Sequence, residues 1–238
     1  GNYIDSVLVS ETKFVYNKNG QIVREKNYKD RNLVSQIYNE YYKNGQKKSL
    51  SNVKDGRANG INIQWYANGQ KELEGSYKDG IPDGNWSGWY ENGQIWLKEN
   101  YKNGKQDGVI TAWYENGKIK SKRYSKDGKA DGTHTLWDER GNKKQEMTYK
   151  DNKLVYETKY FYYLNFGMSE VDQLEKSQNY KNGNMDGKWT WWDSSGQITG
   201  EANYKEGKKN GKQIRWSSKN LKEYQAFFKN GECVSGDC

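Results

Sequence analysis

Residues 65–84 read WYANGQKELEGSYKDGIPDG, residues 89–108 read WYENGQIWLKENYKNGKQDG, and residues 113–132 read WYENGKIKSKRYSKDGKADG. Each copy begins 24 residues after the one before it, and related copies extend over most of the 238 residues. A fixed period of this length is typical of a repeat protein, in which stacked units bury a core that none of them could form alone.

Four columns of residues keep this phase along the chain. The turn column contains Gly20, Gly45, Gly69, Gly93, Gly117, Gly141, Gly196 and Asn220. Four residues before each stands an aromatic residue: Tyr16, Tyr41, Trp65, Trp89, Trp113, Trp137, Trp192 and Trp216. The third column follows the turn by eight residues and includes Tyr28, Tyr77, Tyr101, Tyr149, Tyr204 and Phe228, with Tyr180 in the same motif. The fourth precedes the turn by nine residues and contains Gly60, Gly84, Gly108, Gly132, Gly187 and Gly211.

The turn signals predict that one repeat is one β-hairpin. Asn-Gly at 68–69 and its equivalents favours a type I′ turn, which needs positive φ at both central residues. The segments between turns are rich in Trp, Tyr, Thr and Ile, which suit a pleated surface. We therefore predict an all-β fold, an elongated antiparallel single-sheet array of about nine tandem hairpins. It forms one domain over 1–238, with an irregular insertion near 154–178 and a short Cys-containing tail at 232–238.

The composition is unusual for a globular core. Only 32% of residues are hydrophobic and 29% are charged, while 15% are aromatic. Large rings bury about 150–250 Å² each, so an aromatic ladder can replace an aliphatic interior. We assign that structural ladder to the Trp and Tyr columns, namely Trp65, Trp89, Trp113, Trp137, Trp192, Trp216, Tyr77, Tyr101, Tyr149, Tyr180 and Tyr204.

The charge pattern does not favour nucleic acid. The net charge is +8, but 31 acidic residues are interleaved with 39 basic ones. Lysines spread over the repeats indicate a solvated sheet with protected edges. No stretch approaches the roughly 20 apolar residues of a membrane-spanning helix, although peripheral membrane contact stays open.

Catalytic chemistry is scarce in the sequence. His134 is the single histidine, and it occupies a position that holds Trp86, Ile110 and Trp189 in other repeats, which favours a structural role. Each Asp-Gly turn offers one carboxylate beside lysines, whereas calcium takes six to eight oxygen ligands. We predict no enzyme activity, no catalytic residue, no metal and no cofactor.

The 24-residue period is broken by more than one residue at a single place. Tyr149 and Tyr180 are 31 residues apart, seven more than the period, and the intervening stretch is the most apolar in the chain. Insertions in repeat arrays often lie on the binding face. We predict a binding site from Phe161, Tyr162, Tyr163, Leu164, Phe166 and Met168. The alternative is that these rings fold back over the sheet and fill a gap.

The ends of the sequence bear on the compartment. Cys233 and Cys238 could form a small disulfide loop, which would suit an exported protein. Two free thiols on a frayed tail are the alternative. The first residue, Gly1, is not Met, so either a signal peptide has been removed or the chain has been trimmed. Together these features favour export to the cell envelope over the cytoplasm as an expectation.

The repeat resembles a known family. Trp-Tyr-x-Asn-Gly-Gln-Ile followed by Tyr-Lys-Asp-Gly-Lys-x-Asp-Gly is similar to the MORN-variant repeat, best matched at 65–84, 89–108 and 113–132, and covering residues 11–231. This repeat is typical of bacterial YwqK-like antitoxins. The resemblance implies a non-enzymatic hairpin array that neutralises a toxin by direct binding. In other MORN proteins the implied role is membrane association or scaffolding, and some exported members take part in attachment to host cells.

We therefore expect a binding protein whose partner is another protein, either a toxin or a host or surface protein. The open sheet edges also leave room for an edge-to-edge dimer. Recognition of cell-wall glycans or anionic membranes by the aromatic repeats is the alternative. Exposure of the rings discriminates between these functions, because a ligand cage needs rings open to solvent.

Overall fold

The computed structural model describes residues 2–4, 7–163, 172–217 and 221–238, with side chains from Ser10 onward. In these residues the chain is built from strands joined by turns. The strands are β1 (Asn2–Ile4), β2 (Val7–Tyr16), β3 (Ile22–Lys29), β4 (Asn32–Tyr41), β5 (Lys47–Lys54), β6 (Arg57–Trp65), β7 (Lys71–Lys78), β8 (Ile81–Pro82), β9 (Gly84–Trp89), β10 (Ile95–Lys102), β11 (Lys105–Gln106), β12 (Gly108–Trp113), β13 (Ile119–Lys126), β14 (Lys129–Ala130), β15 (Gly132–Trp137), β16 (Lys143–Lys150), β17 (Lys153–Tyr162), β18 (Leu174–Lys181), β19 (Asn184–Met185), β20 (Gly187–Trp192), β21 (Ile198–Lys205), β22 (Lys208–Trp216), β23 (Lys222–Lys229) and β24 (Glu232–Gly236).

These strands form one open antiparallel sheet, which confirms the predicted fold class. Each strand pairs with its neighbours along the chain. A two-residue strand such as β8 is separated by a bulge from the longer strand that follows it, here β9, and both pair with the same neighbour, β7. Internal contacts divide the chain into unit 1, residues 1–117 and 126–128, and unit 2, residues 118–125 and 129–238. The described residues contain no helix that could span a membrane.

The Asn-Gly turns differ from the type I′ turns predicted for them. At 42–46 only Gly45 has positive φ, and its amide donates to the carbonyl of Tyr42, while the Tyr42 amide donates to the carbonyl of Gln46. This is a three-residue loop in which a type I turn is followed by a left-handed glycine. The Asn44 side chain instead accepts the amide of Gln46 at 3.1 Å. Asparagine therefore serves here as a local hydrogen-bond acceptor.

The type I′ conformation occurs in the other connection of each repeat. Asp79 and Gly80 both have positive φ, at 51° and 85°. The chain then bulges at Asp83-Gly84, and the hydroxyl of Ser76 on the neighbouring strand donates a hydrogen bond to the carbonyl of Asp83. Successive connections are joined as well, since the Asn103 amide donates to the Asp83 carboxylate at 3.2 Å. The Asp-Gly motif is thus explained by turn geometry and contact with the next repeat.

Each unit buries a narrow core along the middle of its strands. In unit 1 the Trp86 ring lies against Gly75, where any added Cβ would overlap the indole. The same ring packs edge-on between Tyr77 and Tyr101, with centroids 5.2 Å and 6.0 Å away. Among the residues whose side chains are described, the buried apolar ones are Trp86 and Ile110 in unit 1, and Met147, Trp189, Ala202, Ile214 and Ala226 in unit 2. Glycine and alanine opposite tryptophan provide room for a ring laid flat on the sheet.

The C-terminal segment extends the sheet. Residues 232–236 form β24 and pair with β23. Cys233 and Cys238 are joined by a disulfide, with Cα atoms 5.8 Å apart. The Asp237 carboxylate accepts the amide of Gln225 at 2.8 Å, so the residues after β24 are also held to β23.

Candidate binding site at the turn insertion

Tyrosines next to the predicted ladder connect several repeats to the following one. The Tyr42 hydroxyl donates to the carbonyl of Trp65 at 2.7 Å, and the Tyr66 hydroxyl to that of Trp89 at 2.8 Å. The same bond joins Tyr90 to Trp113. We call this bond the tyrosine staple; it fixes the distance between the Asn-Gly turns of neighbouring hairpins.

A tyrosine staple also spans the insertion. The Tyr163 hydroxyl donates to the carbonyl of Trp192 at 2.9 Å, although 29 positions separate them instead of 23. The Tyr163 amide donates to the carbonyl of Gln173 at 2.9 Å, as the Tyr66 amide does to that of Gln70. Nine residues, 164–172, therefore lie between Tyr163 and Gln173, where three lie between Tyr66 and Gln70. We call residues 164–172 the enlarged turn.

The seven extra residues divide into two parts. Six enlarge the turn between Tyr163 and Gln173, and one lengthens β17, which has ten residues like β4. Phe161 and Tyr162 lie in β17, paired with Lys176 and Leu174. These two rings therefore belong to a strand of the sheet. The other three predicted binding residues, Leu164, Phe166 and Met168, lie outside the described residues.

The side chains at the start of the insertion contact the array. The Tyr162 hydroxyl donates to the carbonyl of Lys143 at 2.8 Å, and burial raises the pKa of this phenol. The Lys176 ammonium lies 4.5 Å from the centre of the Phe161 ring. The strand end that precedes the insertion is therefore one whose aromatic side chains are already held by neighbouring strands.

The far end of the insertion is held by a buried polar cluster. The Asn142 side-chain amide donates to the carboxylates of Asp138 and Asp172, each at 2.9 Å, and its oxygen accepts the amide of Asp172 at 2.9 Å. The Arg140 guanidinium contacts the other Asp172 oxygen at 2.7 Å. We call these four residues the clamp. Asp172 occupies the place of the turn glycine in other repeats, directly before the glutamine.

Burial makes the clamp sensitive to the loss of any member. Asn142 is 1% exposed and the Asp172 side chain 5% exposed. A buried carboxylate is tolerated when it is paired and hydrogen-bonded, and removing one partner is strongly destabilising. The residues on either side of 164–171 are thus held, Tyr163 by its staple and Asp172 by the clamp.

A second polar contact lies beside the clamp. The Tyr160 hydroxyl donates to the Glu146 carboxylate at 3.1 Å, and the Lys143 ammonium lies 3.3 Å from the same oxygen. Burial, followed by the bond to Glu146, raises the pKa of Tyr160 to about 12. The phenol therefore stays protonated over the physiological range and acts as a hydrogen-bond donor.

The predicted ladder is half-buried. Trp65, Trp89, Trp113, Trp137, Trp192 and Trp216 are all partly exposed, as are Tyr77, Tyr101, Tyr149, Tyr180 and Tyr204. Lysines cover some of the rings: the Lys47 ammonium lies 5.9 Å from the Trp65 ring centre and that of Lys71 lies 5.7 Å from Trp89. The most buried rings are Trp86 and Trp189, which stand in the column of His134.

His134 packs as a core residue. Its ring meets that of Tyr149 edge-on, with centroids 5.1 Å apart, and it pairs with Met147 across β15 and β16. Burial, with a smaller contribution from Arg123, lowers its pKa below the usual 6.5. The histidine is thus kept neutral in an aromatic environment.

Sequence reasoning missed the residues that hold the insertion. The staple tyrosines were visible in the sequence, because each directly follows another aromatic residue, as Tyr66 and Tyr90 do in Trp-Tyr-x-Asn-Gly. The clamp was not, because Asn142 and Asp172 lie 30 positions apart and each looks like an ordinary turn residue. Asn142 and Asp172 come into contact only because the two turns that contain them lie side by side.

The repeat itself is matched by a family model. The model described as a MORN repeat variant matches residues 12–30, 58–79, 82–103, 106–127, 130–151 and 185–206, more than half of the chain. The chain belongs to the MORN repeat variant family. The insertion and the clamp residue Asp172 fall between two matched MORN repeats, at 152–184.

Comparison with solved structures adds little to the family assignment. This MORN repeat chain is similar to structures titled "Crystal Structure of TcdB2-TccC3-Cdc42" and "Crystal Structure of TcdB2-TccC3". In both cases the identity is 11% and the TM-score 0.27, with 93% of this chain and 14% of the other chain covered. The chain thus spans about one seventh of the length of these proteins. No curated protein matches the sequence.

Proposed function

We propose that this MORN repeat protein is a non-enzymatic binding protein whose array presents the enlarged turn 164–172 to a partner protein. The observation that carries this proposal is that the turn is bounded by two specific attachments, the Tyr163 staple and the Asp172 clamp. A turn fixed at its base loses less conformational freedom on binding, and such preorganisation favours affinity.

The burial of polar groups supports the same function. A short Asn-Gly turn needs no buried carboxylate, as Gly69 and Gly93 show at the equivalent place. Burying Asp172 has a desolvation cost that only a complete set of partners offsets. A buried clamp at the last residue of the enlarged turn is consistent with a requirement for a defined turn position.

Two versions of the partner follow from the resemblance. The first is a toxin that the chain neutralises by direct binding, as implied for YwqK-like antitoxins. The second is a host or surface protein bound by an exported adhesin, for which the disulfide between Cys233 and Cys238 adds support, because disulfides persist in oxidising compartments.

Recognition of glycans, quaternary ammonium groups or anionic membranes by the ladder rings has less support. Lys47 and Lys71 stand over the rings of Trp65 and Trp89, so a cationic ligand would meet a like charge there. The most buried rings, Trp86 and Trp189, are packed into the core.

The test is capture of partners from the source organism by two matched chains. In the first, residues 164–171 are replaced by Ala-Asn, the two residues that follow Tyr66, which shortens the turn to three residues and keeps Asp172 and the clamp. In the second, residues 67–69 are replaced by the three residues 91–93, which exchanges one short turn for another. We expect a protein captured by the intact chain and the second variant but not by the first.

Equal capture by both variants contradicts the proposal. The identity of the captured protein then separates the versions. A toxin whose effect on growth is relieved by co-expression supports the antitoxin role, and a surface receptor supports adhesion.

A further inference from the structure

A straight row of side chains crosses unit 2 on one face of the sheet. Residues directly opposite each other on paired strands share a face and lie close together. The row runs from β17 through β18, β20, β21 and β22 to β23 and consists of Phe161, Lys176, Trp191, Gly200, Arg215 and Tyr224. We call it the aromatic–cation row. It begins on the strand that leads into the enlarged turn.

The row contains a recess at Gly200. The backbone there does not require glycine: φ lies outside the left-handed region, and an added Cβ would meet the Trp191 ring at 3.5 Å and Arg215 Cγ at 3.9 Å, which are ordinary contacts. Two repeats of unit 1 carry Leu73 and Leu97 at the corresponding place, four residues after the turn glycine. With glycine, a cavity of about 280 Å³ opens, lined among others by Trp191 and Arg215.

The two cations of the row stand on either side of this recess. The Lys176 ammonium lies over the Phe161 ring, and the Arg215 guanidinium lies 5.9 Å from the centre of the Tyr224 ring, so both side chains lean away from Gly200. The row contains no carboxylate. In the part of the chain that the structure describes, neither cation forms an ion pair with Asp or Glu.

This arrangement is complementary to an anionic segment that carries an apolar side chain. An indole wall and an open glycine floor receive apolar atoms, while ammonium and guanidinium groups pair with carboxylates. A cationic ligand would be repelled by both charged residues.

Building on the proposed function, we propose that the aromatic–cation row binds an extended acidic segment of the partner protein. Lys176 and Arg215 pair with two carboxylates, and an apolar side chain between them enters the recess at Gly200. This assigns the partner's chemistry and a contact surface next to the enlarged turn.

The spacing defines the segment. Neighbouring strands are about 4.8 Å apart, so the three steps from β18 to β22 separate Lys176 from Arg215 by about 14 Å. An extended chain rises about 3.3 Å per residue and directs alternate side chains to one face, so about four residues cover this distance. The matching sequence is Glu-x-Leu-x-Glu, with the leucine over the recess.

The experiment measures the fluorescence anisotropy of labelled peptides added to the full chain at low salt. The probe is a peptide containing Glu-Ser-Leu-Ser-Glu, and the comparison peptide contains Lys-Ser-Leu-Ser-Lys. We expect the glutamate peptide to bind at least tenfold more tightly than the lysine peptide, and to weaken as salt is added.

Two substitutions locate the site. Arg215→Gln should weaken the glutamate peptide at least fivefold. Gly200→Leu should weaken it at least tenfold by filling the recess. Because residue 200 lies opposite Trp191, whereas Leu73 and Leu97 lie opposite Gly88, Gly200→Ala is the milder variant: its Cβ makes only ordinary contacts, so it should weaken binding to a smaller extent without lowering the melting temperature. The matched control is Lys212→Gln, which removes the same charge from the same strand on the opposite face and should leave binding unchanged.

Equal binding of the two peptides, no binding of the glutamate peptide, or equal weakening by Lys212→Gln overturns the inference. The capture assay separates this failure from that of the proposed function. Capture that is lost on shortening the turn but unaffected by Arg215→Gln and Gly200→Leu leaves the proposed function standing and refutes the role of the row. Peptide binding without any captured protein supports the row and contradicts the proposed function.

Discussion

Replacing Asn142 by alanine should destabilise unit 2 strongly. The side chain is 1% exposed and makes three hydrogen bonds of 2.9 Å, one to Asp138 and two with Asp172. Bonds to charged groups contribute about 1.5–3 kcal/mol each, and they are not additive. The Arg140 contact persists, so we expect a loss of about 3–5 kcal/mol in the free energy of unfolding, the range for breaking a buried charged pair.

The matched control is Gln94→Ala. Gln94 stands at the same turn position in unit 1 but is exposed, so its truncation should cost less than about 1 kcal/mol. Urea unfolding followed by tryptophan fluorescence gives the free energies. Hydrogen exchange of β16–β18 shows whether the loss is local, since repeat arrays can open in parts. Equal losses for the two variants, or a loss below about 1 kcal/mol for Asn142→Ala, would refute the assignment of the clamp.

Three further outcomes follow from the core and the C-terminal strand. Trp189→Ala should lower the free energy of unfolding by about 3–5 kcal/mol, and Trp113→Ala, whose ring is half-buried, by at most about 2 kcal/mol; chemical unfolding that reverses this order would contradict the placement of the core. Because the pKa of His134 is lowered in the folded protein, the unfolded chain binds the proton more readily, so stability should be constant above pH 6.5 and fall as the pH drops below it. His134→Trp should remove this dependence, and an unchanged pH profile would show that another group causes it. Cys233→Ser should cost roughly 2 kcal/mol for a loop of this size, with faster exchange in β23 and β24; unchanged exchange there would show that the disulfide does not hold the edge.

Much of the fold could be predicted because the repeat signal is local and reinforced in every copy. The period, the two turns per unit and the all-β class all follow from residues fewer than 24 positions apart. The turn type could not be predicted from Asn-Gly alone. Asn44 is used as a side-chain acceptor, and the left-handed pairs are at Asp79-Gly80 and its equivalents.

The core was harder to predict than the fold. The rings with the strictest spacing, such as Trp89, stand at strand ends beside the turns and stay half-buried. The buried rings, Trp86 and Trp189, occur in a column that also accepts isoleucine and histidine. Burial there depends on a small residue on the adjacent strand, such as Gly75 or Ala202, and this pairing is set by register.

The candidate site was predictable only in outline. The break in the repeat period located the insertion, because seven residues are added to a spacing that is otherwise close to 24. Its division between β17 and the turn, and the attachment of its end to Asn142, required knowledge of which turns lie side by side. The opening at Gly200 was hidden for the same reason, since one glycine among 26 carries no signal without its neighbours.

The most direct test of the central claim is a hydrogen-exchange footprint of the chain with its captured partner. The claim is that the partner binds at the enlarged turn and the adjoining strands of unit 2. We predict slower exchange of amides between Phe161 and Lys176 in the complex, with those of β5–β10 unchanged. Protection confined to unit 1, with unchanged exchange between Phe161 and Lys176, would contradict the claim.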